Sequence, residues 1–181
     1  MSSGVRLVGV VAAVRIQAAL LLPVSLVSCV PAVTGGAHRF TPVATAGMAA
    51  VLFVSTFGAL LNNRRPWYRS RLERLTAPGP DADVVALDRT FDLYSRSMTV
   101  PLVMVLLVGL VVCYSTGVPI GMAVAGIAGG MLWLSGRLAA QERLLGGWIV
   151  GPHMPVRTTT ADPNYAVYRE SRFYLVRDAS S

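Results

Sequence analysis

The side chains able to do chemistry are few in this chain, and their spacing argues against most of the reactions they could support. Nine acids, two histidines (His38 and His153) and two cysteines are spread over 181 residues. Asp81, Asp83, Asp88 and Asp92 are the densest acidic group. Four carboxylates could hold a divalent cation, but this spacing matches no calcium loop and suits helix capping and solvation better. Cys29 and Cys113 stand far from any Cys-x-x-Cys or Cys/His pattern, so no metal centre is expected. There is no glycine-rich phosphate loop after a strand and no nucleophile beside its base. The expectation is therefore a non-catalytic chain without cofactor. A headgroup enzyme, the weaker alternative, would draw its acids and bases from Asp88, Asp92, His153 and Glu170, with Arg64, Arg65, Arg69 and Arg71 gripping phosphate.

The elements that would carry these residues follow from composition. The chain is 54% hydrophobic and 14% charged, with a mean hydropathy of +0.57, too apolar for an ordinary soluble domain. A membrane-spanning helix needs about 20 apolar residues. Four stretches qualify, over residues 15–33, 42–61, 98–114 and 119–138. The fold expected is an all-α integral membrane bundle of four transmembrane helices, arranged as two antiparallel hairpins. Residues 1–140 form the spanning domain with a cytoplasmic loop at 62–97, and residues 141–181 form an interfacial helix and a small cytoplasmic cap. All sixteen basic residues are arginine, and all but Arg39 fall on one side of such a bundle. That bias places both termini in the cytoplasm of a multi-pass cell-membrane protein. Trp67, Tyr68, Trp133 and Trp148 at the inner boundary, and Phe40 and Tyr114 at the outer one, agree with it.

A net charge of +7 could suggest nucleic acid, but the arginines flank apolar spans, where anionic inner-leaflet lipids would meet them. No nucleic-acid partner is expected. The opening segment of the loop, with Arg64, Arg65, Trp67, Tyr68, Arg69, Arg71 and Arg74, is the expected contact for that leaflet or for a partner protein. Asp81 or Asp83 should cap a short amphipathic helix bearing Val84, Leu87, Phe91 and Tyr94 that feeds the third span.

The fourth span places Gly117, Gly121, Ala125 and Gly129 every fourth residue, with Gly126 and Gly130 one position round. Such a face lets helices approach closely where no hydrophobic effect drives them together. Arg15 and Gln17 near the first helix start, and Asn62 and Asn63 at the expected end of the second, read as inner anchors; in a transporter they would line an inner mouth. Cys29 and Cys113 both fall late in outward-running spans, where a disulfide is conceivable. Leu26-Val27-Ser28-Cys29 also fits a lipoprotein cleavage box.

Residues 141–150 are expected to continue as an interfacial helix until Gly151-Pro152. In the tail beyond, residues 165–168 and 173–176 are aromatic and β-branched enough for short strands. Tyr165, Tyr168, Arg169, Arg172, Phe173 and Tyr174 should dock them on the loop or on another protein. Three function classes remain: an accessory or scaffold subunit binding other membrane subunits or its own copies, a small oligomeric transporter of an anionic or neutral solute, and an inner-leaflet lipid-binding factor or enzyme.

Overall fold

The computed structural model describes residues 6–34, 40–79, 82–153, 165 and 170–177, with the side chains of Leu87 and Asp88 left aside. In chain order the elements are β1 (Arg6–Gly9), α1 (Val10–Ser28), α2 (Val30–Thr34), α3 (Pro42–Leu72), β2 (Asp83–Val84), α4 (Leu87–Thr116), α5 (Gly121–Leu145), β3 (Trp148–Pro152) and β4 (Tyr174–Val176). Four helical segments, Val10–Thr34, Pro42–Leu72, Arg89–Thr116 and Gly121–Leu145, are long and apolar enough to cross a membrane.

Local chemistry sets several of the boundaries. Thr41 is extended and its hydroxyl accepts the Ala44 N–H at 3.3 Å, while Pro42 occupies the first helical turn; together they start α3. Gly117 at φ 75° and Gly146 at φ 61° adopt the left-handed conformation that ends α4 and α5.

The bundle departs from the expected pair of hairpins. α5 packs along α1 on one side and α3 on the other, and α1 packs along α4, so the helices stand in the order α3–α5–α1–α4. α4 and α5 are joined by a tight turn yet touch only slightly. Small residues decide these neighbours, because backbones close up where side chains are missing. A Cβ on Gly109 of α4 would stand 2.6 Å from the Ser28 Cβ of α1, and one on Gly130 of α5 would stand 2.7 Å from Leu60 of α3.

The bundle is not all-α. The four strands among the described residues form one sheet in the order β2-β1-β3-β4. β1 pairs in parallel with β2 and antiparallel with β3, and β3 pairs antiparallel with β4. The sheet therefore gathers the start of α1, the start of α4 and the end of α5 at one end of the bundle. Thr76, just past α3, bridges to Tyr174 and brings the end of α3 to the same place.

Three expectations change accordingly. The helix expected to continue through Val150 stops at Leu145, because Gly146 terminates it and Trp148-Ile149-Val150 enters the sheet. Asn62 and Asn63 do not end a helix; α3 runs unbroken for 31 residues. Asp83 lies in β2 and caps nothing, since the N-cap position of α4 is Ala86 with no side-chain hydrogen bond, and a single helix replaces the amphipathic helix plus span. Asp81 lies outside the described residues.

Candidate functional site

The sheet end holds the chain's one cluster of large buried apolar side chains among the described residues. Val10, Val11 and Val14 of α1, Leu138 of α5, Ile149 of β3 and Phe173 beside β4 form its centre, and Trp67, Tyr68 and Leu72 of α3, with Leu75 just past it, close it. Each element supplies one face because each ends here.

Arg71 fastens the tail to this cluster. Its Nε donates to the Ser171 carbonyl at 2.7 Å and its Nη2 to the Glu170 carbonyl at 3.1 Å. The guanidinium also lies 3.8 Å over the Trp67 ring. Trp67 meets Tyr68 edge-on at 4.7 Å and Phe173 at 5.7 Å. A planar cation can hold two carbonyls and a ring face at once, whereas an ammonium would keep fewer of these contacts. The tail thus docks on the loop segment of its own chain.

His153 follows β3 and packs against α4. Its backbone N–H donates to the Arg6 carbonyl at 2.9 Å, and its ring meets Tyr94 edge-on at 5.0 Å. The ring is buried and its Nδ1 finds no hydrogen-bond partner among the described residues. Burial first, and the Arg6 charge second, hold its pKa below the ordinary 6.5.

The other basic and aromatic residues of the loop point elsewhere. Arg69 pairs with Glu73 at 3.1 Å with both side chains largely exposed, and Arg64 lies 5.4 Å over Trp67. Arg74 borders a pocket with Arg71 and Arg172, and Arg172 pairs with Glu170 at 2.7 Å. Arg65 and Arg69 face Arg137 of α5 across a groove. Phe173 is buried and Tyr174 begins β4. Tyr165 is half-buried in a helical conformation rather than a strand. Tyr168 and Arg169 lie outside the described residues.

The glycine-bearing helix serves two seams. Gly121 opens α5 against Ser25, Ser28 and Cys29 of α1, whereas Gly126 meets the Phe53 carbonyl and Thr56, and Gly129 the rings of Phe53 and Phe57, all on α3. Ala125 is fully buried, and Gly117 ends α4 as its cap. The partners on α1 were not evident in the sequence. Ser25 and Ser28 are wholly buried with hydroxyls turned onto their own helix, to the carbonyls of Leu21 and Ser25, so they behave as small packing residues. Serine in an apolar run, set opposite a glycine-bearing helix, was the available signal.

The four residues considered for an inner mouth do not converge. Arg15 borders a pocket of about 380 Å³ with Glu142, Trp148 and Thr90, on the α1 side of α5. Glu142 is occupied there, its Oε1 accepting the Ile149 N–H at 2.9 Å. Gln17 is half-buried on α1, while Asn62 and Asn63 are exposed on α3 across α5. Cys29 and Cys113 are neighbours but both thiols are free, with Cys113 Sγ donating to the Cys29 carbonyl at 3.8 Å. No group of three or more His, Cys, Asp or Glu able to hold a metal occurs among the described residues. The side chain of Asp88 lies outside them, and Asp92, His153 and Glu170 belong to separate surfaces: a polar pocket, the His153–Tyr94 contact and the tail clasp.

No family model, curated protein or solved structure matches this chain.

Proposed function

We propose that this chain is a non-catalytic accessory or scaffold subunit of a larger membrane complex, lying in the cell membrane with both termini cytoplasmic. The observation that carries this reading is the contrast between the two edge helices. At about 100° per residue, the face of α3 turned away from α5 bears Ala44, Gly47, Ser55, Gly58 and Asn62, all exposed, with Val51 among them and Val43 and Val54 at its edge. A Cβ at Gly47 or Gly58 would meet nothing within 4 Å. The outward face of α4 instead bears Val100, Val103, Leu107 and Val111. Large aliphatic side chains suit lipid tails. Small residues with a hydroxyl and an amide suit a second helix backbone.

The arginine bias supports the cytoplasmic placement, since the segments that carry it meet in one sheet at one end. The clasped tail and its arginines supply a second contact surface on that side. A mild-detergent pull-down of the full-length tagged protein from its native membrane, read by mass spectrometry, tests the reading. The expected result is a stoichiometric partner that is lost from a Gly47→Leu/Gly58→Leu variant still eluting as a single species. A lone monomer would overturn the reading, and a lone homo-oligomer would replace it with a small oligomeric transporter.

A further inference from the structure

We infer that the groove between the sheet-end halves of α3 and α5 is a binding site for the phosphate headgroup of an anionic phospholipid. The groove encloses about 450 Å³. Its mouth carries Arg65 and Arg69 from α3 and Arg137 from α5; Leu134, Leu138 and Tyr68 form its floor.

Position along the helices argues for a lipid. No charged residue occurs in α3 from Pro42 to Asn63, nor in α5 from Gly121 to Gly136. Arg65, next to the first charged residue of α3, and Arg137, the first of α5, thus stand where two apolar spans become charged, the level of the headgroups in a bilayer. Trp133, one turn before Arg137 and partly exposed, has the guanidinium 4.8 Å over its ring, so an amphipathic side chain and a fixed cation share one spot at that level.

Charge complementarity points the same way. Glu73 is the groove's one carboxylate among the lining residues, and Arg69 already holds it. Arg65 and Arg137 have no ion-pair partner among the described residues. Two guanidiniums without a carboxylate partner on the walls of one groove suit a phosphate, a group that guanidinium forks bind bidentately. The buried leucines below offer apolar surface to the glycerol backbone and the first acyl carbons. A soluble phosphate could use the arginines, but not the apolar floor. The groove lies beyond the Ala44–Asn62 stretch offered to a partner helix, so the two surfaces are separate and fail separately.

Native mass spectrometry of the full-length protein, released from mixed micelles containing phosphatidylglycerol or phosphatidylcholine, tests the site. Expected is one phosphatidylglycerol adduct that survives collisional activation sufficient to strip phosphatidylcholine. A double change, Arg65→Gln/Arg137→Gln, should lower its retention about tenfold or more. The control Arg89→Gln/Arg96→Gln removes the same charge from a different pocket, that of Arg6, Asp83 and Asp92, and should leave retention unchanged. Inorganic phosphate at millimolar concentration should not displace the adduct. Equal retention of the two lipids, equal loss from both double variants, or displacement by inorganic phosphate would each overturn the assignment, the last in favour of a soluble phosphate ligand.

Discussion

The two packed regions of this molecule use different materials. Between the helices the contacts are made by Gly109, Gly121, Gly126 and Gly130 against Ser28, Phe53 and Leu60. At the sheet end they are made by Val10, Val14, Ile149, Leu138 and Phe173, with hydrogen-bonded strands and a guanidinium clasp. The difference is the one expected if the helices, which are long and apolar enough to cross a membrane, lie among lipid tails and the cap in water. Among lipid tails an apolar side chain gains little by leaving its surroundings, so association rests on close backbone approach and dispersion. Near water the same side chain gains about 25 cal/mol per Å² buried, so large residues are worth gathering. The bundle is thus assembled by omission of side chains and the cap by their presence.

Substitutions of opposite kind should therefore be tolerated in the two regions. The largest effect is expected from Gly126→Leu, which drives a branched side chain into the Phe53 carbonyl and Thr56. It should cost about 3 kcal/mol or more and abolish the monodisperse species in mild detergent. Gly136→Leu, on the same helix with open space around it, should stay within about 0.5 kcal/mol of the parent in thermal stability. Comparable losses from the two would refute the close-approach account.

Next in size is Phe173→Ala, which empties the middle of the cap. A local loss of about 3 kcal/mol is expected, seen as faster amide exchange over residues 170–177 while exchange along α1 and α5 stays slow. Arg71→Ala should open the same segment by about 1–2 kcal/mol, and Arg71→Lys should fail to restore it, because a lysine cannot span two carbonyls and the Trp67 face. Rescue by lysine would reduce the clasp to simple charge.

The smallest effect is one of pH. His153 is held below 6.5 in the folded cap by burial and by Arg6, with Tyr94 against its ring, while the opened chain binds a proton at the ordinary value. Its contribution is complete above about 6.5 and is lost as pH falls below that. Exchange along β1 and β3 should therefore accelerate between pH 7.5 and pH 5 after correction for intrinsic rates, and His153→Leu should flatten that dependence. Faster opening at high pH would contradict the assignment.

The helices and the last strand, β4, were legible and the rest of the cap was not, for physical reasons. Hydropathy is a sum over some twenty residues, so α3 declares itself through Pro42–Leu61 however its neighbours are arranged. β1 offers four residues, Arg6-Leu7-Val8-Gly9, too few for any period, and its antiparallel partner lies beyond the last helix. The end of α5 was misread although Gly146-Gly147 before Trp148-Ile149-Val150 carries both a helix stop and strand formers. Arg71 could not be told from its neighbours in composition; only the geometry separates it from Arg69. The apolar spans likewise say nothing of which helix lies beside which. That order was carried by small residues such as Ser28 and Gly109, which hydropathy treats as ordinary members of a span.

The pairing of β1 with β3 also fixes an order of events in time. Leu7 cannot meet Pro152 until the ribosome has made everything between them, which takes on the order of ten seconds at cellular synthesis rates. During that interval the edge of the first strand that β3 will take stays unpaired. It is closed only by a strand that follows the fourth helix. In a bilayer, a span left out of the four would put the two strands on opposite faces, so the sheet could close only with an even number of spans between them.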